Sequence, residues 1–109
     1  MAFTVLLTED AAADLEDIYS HISEHDSQQK AEYVLDQLES KFVSLSEMPE
    51  RGVLPRELSI LGVRDYREVF FKPYRIIYRV DDDNVYVYLV VDGRRDMQSL
   101  LQRRLLGAL

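Results

Sequence analysis

Two amphipathic helical patterns lie almost end to end in the first half of this chain, and that adjacency constrains the fold more than any other feature. Ala11, Leu15, Ile18, Tyr19 and Ile22 recur at helical spacing, as do Ala31, Val34, Leu35, Leu38, Phe42 and Leu45. Thr8 and Ser27 stand where a side-chain oxygen can accept an otherwise unpaired N–H at the start of each helix, and Glu9 and Asp10 suit the positive end of the first helix dipole. The first helix is predicted to end near His25, and Pro49 and Gly52 stop the second. A connection of only a few residues leaves the pair one arrangement, an antiparallel hairpin in which each helix has one apolar stripe and one acidic face.

Residues 49–62, with Pro49, Gly52, Pro55 and Gly62, read as a loop crossing back over the domain. The period then switches to two. Val63–Phe71, Tyr74–Val80 and Val85–Val91 read as strands, separated by Pro73 and by the turn Asp81-Asp82-Asp83-Asn84. Loop length makes them antiparallel neighbours. Phe3 to Leu7 makes a short strand before the helices, and its place in the sheet stays open. Asp96 can cap a last helix from Met97 to about Leu106, closed by Gly107. The expected fold is α+β: one domain over residues 1–109, an N-terminal strand, a helical hairpin packed on a small, mainly antiparallel four-stranded sheet, and a short C-terminal helix.

Charge is divided between the halves. The chain of 109 residues has a net charge of −7. Residues 1–50 hold 12 acids and 2 bases, whereas residues 51–109 hold 11 bases and 8 acids. The hairpin carries the acidic excess, so the acidic total says little about the sheet. The absence of cysteine excludes a disulfide framework and any cysteine-based zinc site or nucleophile. No basic leader and no long apolar run occur, so the expected location is the cytoplasm, with no membrane contact.

Strand alternation places the bases. Tyr74, Ile76, Tyr78 and Val80 share a face expected to meet the helices, and Arg75, Ile77 and Arg79 share the other. In the preceding strand Arg64, Tyr66 and Glu68 take one face, and Asp65, Arg67 and Val69 the other. Arg94, Arg95 and Asp96 end the last strand, and Arg103 and Arg104 follow on the final helix. Such a surface could contact anions or nucleic acid. The composition favours a solvated face whose arginines pair with Glu68, Asp65 and Asp96, because an excess of three bases is no polybasic patch.

Three motifs imitate chemistry. His21-Ile22-Ser23-Glu24-His25 matches the H-x-x-E-H zinc pattern but has no third ligand in view, and an exposed helix end explains it better. Ser27-Gln28-Gln29-Lys30 matches S-x-x-K without the companion motifs of an acyl-enzyme. Asp81-Asp82-Asp83 suits a soluble hairpin tip better than a cation site. No metal and no cofactor are expected. With both histidines in the hairpin, acid–base catalysis on the sheet is poorly supplied.

Four segments together carry a family resemblance: Ala11-x-x-Asp14-Leu15-x-x-Ile18-Tyr19, Met48-Pro49-x-x-Gly52, Pro73-Tyr74-Arg75-Ile76-Ile77-Tyr78-Arg79-Val80, and Val90-Val91-Asp92-Gly93-Arg94-Arg95-Asp96. In order and spacing they resemble the RelE/ParE toxin superfamily of type II toxin–antitoxin systems. The resemblance implies a toxin neutralised by a cognate antitoxin in a hetero-oligomer. RelE-like members are ribosome-dependent mRNA endoribonucleases, and ParE-like members poison DNA gyrase and block replication. A RelE-like reading would use Arg64, Arg67, Arg75 and Arg95, but the C-terminal tyrosine of that branch is replaced by Leu101. The central strand and the Gly-Arg-Arg-Asp ending resemble the ParE-like branch, which implies DNA gyrase as target and only weak or indirect contact with nucleic acid. Asp92 departs from it, standing where histidine is common, so an inactive antitoxin-binding homologue is a further alternative. The expected target-binding residues are Arg75, Arg79, Arg94, Arg95, Asp96 and Arg103. The expected antitoxin surface is the acidic hairpin, with Asp14, Tyr19, Tyr33 and Asp36, suited to a basic amphipathic helix.

Overall fold

Both hairpin helices start where a hydroxyl can cap them. In the computed structural model, which describes residues 2–107, α1 (Glu9–His25) begins after Thr8, whose side chain accepts from the Ala11 N–H. α2 (Gln28–Glu47) begins after Ser27, which accepts from the Lys30 N–H. Only Asp26 and Ser27 separate the helices, so they run antiparallel. Before them lies β1 (Thr4–Leu7).

The second half forms α3 (Arg56–Ser59), β2 (Arg67–Phe71), β3 (Tyr74–Asp81), β4 (Asn84–Asp92) and α4 (Met97–Leu105). The sheet order is β1-β4-β3-β2. β2, β3 and β4 are antiparallel neighbours, and β1 pairs parallel with β4 from Thr4↔Asn84 to Leu7↔Val87. Between β3 and β4 the two-residue turn puts Asp82 at φ 54°, a left-handed conformation that aspartate tolerates. Asp96 caps α4 by accepting from the Ser99 N–H.

Three expectations need correction. The segment 49–62 is not all loop, because Arg56–Ser59 closes one helical turn that buries Leu58. β2 starts at Arg67, four residues later than alternation suggested. Most consequentially, the Ile77 face of the sheet is not solvated. α3 and α4 cover it, and Leu58, Tyr66, Ile77, Leu89, Val91, Leu100 and Leu101 form a second core there. The first core lies on the opposite face, where Val34, Leu38, Phe42 and Leu45 of α2 meet Val69, Ile76, Tyr78, Val85, Val87 and Val90.

A β-bulge divides β4 between the cores. Ile77 pairs with Leu89 but Tyr78 pairs with Val87, which leaves Tyr88 as the extra residue. Val85 and Val87 therefore face the hairpin, whereas Leu89 and Val91 face α4, although all four are odd-numbered.

Tyr78 anchors the crossover loop. It is fully buried, and its hydroxyl accepts from the Gly52 N–H at 3.0 Å. Burial pushes the phenol above its ordinary pKa and keeps it neutral. Gly52 also carries the carbonyl that accepts from Arg67 Nη1 at 2.9 Å, beside the Val53↔Glu68 bridge. A Cβ on Gly52 would stand 2.5 Å from the Tyr78 hydroxyl and 2.6 Å from the Glu68 carbonyl oxygen, so only glycine fits. Tyr78→Ala is expected to cost about 3–5 kcal/mol in urea denaturation. Tyr78→Phe, which orphans one buried N–H, is expected to cost about 1–3 kcal/mol.

Candidate functional site

β4 is longer than β1, and its uncovered outer edge shapes the site. Past Leu7 no strand among the described residues pairs with that edge, and a side chain from α1 takes over. Asp14 Oδ2 accepts from the Val90 N–H at 3.0 Å, while Arg104 of α4 donates to the Tyr88 carbonyl at 3.0 Å. Arg104 also grips both Asp14 oxygens, at 3.2 and 3.0 Å, and its Nε lies 3.5 Å from an Asp10 oxygen. Beyond this plug, a cleft of about 440 Å³ opens between α1 and the end of β4, bordered by Asp17, His21, Tyr74, Asp92, Arg94 and Arg95.

Within the cleft, the Arg94 backbone N–H and Nε each donate to Asp92 Oδ1 at 2.9 Å, and Nη2 reaches Oδ2 at 2.5 Å. This clamp holds the Asp92 carboxyl below its ordinary pKa. Burial, followed by the nearby Asp92 charge, raises the Tyr74 hydroxyl. Arg95 is exposed, and only its backbone N–H is engaged, donating to the Asp92 carbonyl at 3.2 Å. Arg103 is exposed on α4 and Arg79 on β3.

Arg75 lies elsewhere. Its Nη1 and Nη2 make a two-pronged contact with Glu57 of α3, both bonds at 2.8 Å, and its Nε donates to Glu68 at 2.7 Å. Only 13% of the Arg75 side chain is exposed. Gly93 permits this packing, since a Cβ there would stand 2.6 Å from Arg75 Cδ. The bidentate bond to Arg75 lowers the Glu57 pKa, whereas burial outweighs the same guanidinium at Glu68 and raises it. The pairing of Arg75 with Glu68 follows the cross-strand expectation; the engagement of Glu57 across the α3–β3 interface had no local signal.

The remaining expected residues separate. Arg67 straps the crossover loop through Gly52 and Glu50, and Arg64 is exposed before β2. The Asp96 carboxylate is engaged in capping α4. On the hairpin, Asp14 faces Arg104, Tyr19 is half-buried, and Tyr33 is 53% exposed with an edge contact to Phe71. Asp36 is exposed on the rim of an apolar groove of about 600 Å³ lined by Val5, Leu7, Leu15, Leu35, Phe42 and Val43. Tyr74, Arg104 and Glu57 are site-shaping residues that sequence reasoning missed. Tyr74 alone carried a signal, by standing opposite Asp92 at the strand end.

The hairpin-on-sheet architecture, with Arg94 and Arg95 past the end of β4, is that of the RelE/ParE-type toxin fold. A chain of the chromosomal ParDE toxin–antitoxin system from P. aeruginosa superimposes with a TM-score of 0.70 at 20% identity, covering 84% of this chain and 96% of that one. The free RelE toxin of E. coli, as a double mutant, gives 0.62 at 20% identity with both chains fully covered. A chain of the RelBE2 toxin–antitoxin complex from Mycobacterium tuberculosis gives 0.57 at 27% identity over 84% of this chain and 92% of that one. In sequence, Toxin ParE3 of Caulobacter vibrioides is 28% identical over 102 residues, 92% of this chain and 96% of its relative. Residues 5–97 match the family described as the ParE toxin of the type II toxin–antitoxin system parDE. The chain belongs to that ParE toxin family.

The Glu57–Arg75–Glu68 cluster yields a pH test. Glu57 has a lowered folded pKa, so its stabilising contribution is present above its unfolded pKa and is lost as pH falls through the folded one. Glu57→Gln is expected to lower the urea midpoint at pH 7. The difference from wild type should shrink as pH falls into the range where Glu57 itself protonates. A difference that stays constant with pH would contradict the pairing.

Proposed function

We propose that this chain inhibits DNA gyrase and is neutralised by a cognate antitoxin docked on its acidic hairpin. The observation that carries the reading is the separation of the cations. Arg94 and Arg95 gather with Tyr74 at one solvent-open end of the sheet, whereas two of the other three bases an RNA-cleaving site would recruit are occupied and the third, Arg64, lies apart before β2. Arg75 is closed off by two carboxylates, and Arg67 is tied to Gly52 and Glu50. Leu101, at the position where the RNA-cleaving branch carries tyrosine, is fully buried in the second core. RNA cleavage needs groups that move the 2′-hydroxyl proton and stabilise the leaving oxygen, and no such set converges here among the described residues. Binding a protein–DNA machine through an exposed basic corner requires none of these.

Purified gyrase decides the matter in a supercoiling and cleavage-complex assay. Wild type is expected to inhibit and to trap cleaved DNA. Arg95→Ala should weaken inhibition roughly tenfold, equivalent to about 1.4 kcal/mol. Arg51→Ala, outside the cleft, should leave inhibition unchanged. Arg75→Ala should reduce activity together with stability, because it leaves Glu57 and Glu68 facing each other. Inhibition absent while translated mRNA is cut would instead assign ribosome-dependent cleavage, and expression without growth arrest would indicate an inactive antitoxin-binding homologue.

The antitoxin reading is supported by the groove between β1 and the hairpin, whose apolar floor has Glu32, Asp36 and Glu39 on its rim. That combination suits a helix with an apolar stripe and basic flanks. The structurally similar ParDE of P. aeruginosa and RelBE2 of Mycobacterium tuberculosis are toxin–antitoxin assemblies. Asp36→Lys with Glu39→Lys should slow association with the antitoxin and reduce its salt dependence, read by stopped-flow kinetics. Unchanged kinetics would move the interface elsewhere.

A further inference from the structure

His21 and His25 lie one turn apart near the C-terminal end of α1, on one helix face, and both are exposed. Their rings stack with centroids 4.3 Å apart and planes inclined by 27°. His25 Nδ1 lies 2.9 Å from the His21 carbonyl oxygen. A carbonyl only accepts, so Nδ1 is the protonated nitrogen and the neutral ring presents its lone pair at Nε2. Metal-binding imidazoles are held in the same way, the far ring nitrogen donating to a backbone carbonyl that fixes tautomer and orientation.

We propose that His21 and His25 form a two-imidazole site for a borderline divalent transition cation of the zinc, nickel and copper class. The helical spacing supplies two imidazole nitrogen donors on one face, and the contact of His25 Nδ1 with the His21 carbonyl already orients one ring. Imidazole donors select these ions over magnesium and calcium, which prefer oxygen. Two metal–nitrogen bonds of about 2.0–2.1 Å can bridge the two exposed imidazoles once the rings turn out of the stack and their in-plane lone pairs converge. No group of three or more histidine or carboxylate ligands occurs among the described residues. The other coordination positions therefore belong to water or to an incoming partner, and the H-x-x-E-H sequence marks a binding site here, not a hydrolytic centre.

The position gives the site a consequence. His21 and Tyr74 border both the cleft that holds Arg94 and Arg95 and a second cleft of about 380 Å³ that holds His25, Asp26, Lys30 and Lys72. A bound dication would add positive charge beside the basic end of the sheet.

Titration of the tag-free chain with nickel chloride and zinc chloride at neutral pH, followed by calorimetry, tests the proposal. One ion per chain is expected, with no competition from excess magnesium. His21→Ala and His25→Ala should each weaken binding by roughly 10–100-fold, at least the effect of losing an outer partner of a ligand. The double variant should abolish it. Both side chains are exposed, so the variants should fold, and circular dichroism checks this. Proton resonances of both imidazoles should shift on adding zinc. Binding that survives the double variant, depends on one histidine only, or is absent at millimolar ion would overturn the two-imidazole site.

Discussion

A strand that outlasts its neighbour leaves backbone groups that something must satisfy, and much of this molecule follows from how β4 solves that problem. β1 ends at Leu7, yet β4 continues to Asp92. The Val90 N–H and the Tyr88 carbonyl are met by Asp14 and Arg104, which in turn meet each other. Buried backbone groups are seldom left unpaired. One requirement thus ties α1, β4 and α4 together, although α1 and α4 pack on opposite faces of the sheet. The same plug borders the cleft with Arg94 and Arg95. It also guards an edge that would otherwise be open to foreign strands.

The element order was legible because each segment's local pattern agreed with its final state. Thr8, Ser27 and Asp96 cap the helices they were expected to cap. Tyr78 is in the core, as alternation required. What alternation could not reveal was the cover on the other face. Ile77 sits between two arginines in sequence, which reads as a polar face. The apolar side chains that bury it come from Leu58, Leu100 and Leu101, far away along the chain. The bulge at Tyr88 was equally silent, because one added residue changes which face Leu89 and Val91 take without leaving a mark in composition.

The candidate site was less legible for the same reason. Sequence can place arginines on a strand or a helix, but their availability depends on partners elsewhere in the chain. Arg94 meets Asp92 two residues away, a pairing short enough to anticipate. Arg75 and Arg104 are claimed by Glu57 and by Asp14 at separations of 18 and 90 residues. Through Arg104 and Asp14 the basic and acidic halves of the chain are stitched together in part. The exposed cations that remain include Arg95 and Arg103.

The closed cluster around Arg75 also shapes the field that the molecule projects. One guanidinium between two carboxylates has no charge left over for an incoming anion, and with Arg56 beside Glu57 the α3 side of the sheet is close to neutral despite the arginine in its middle strand. The exposed guanidinium groups lie elsewhere, among them Arg64, Arg79, Arg95 and Arg103. A polyanion diffusing up to this protein would be turned away by the acidic hairpin and would find no unpaired charge at Arg75, so its first contacts fall to guanidinium groups on the rim of the sheet.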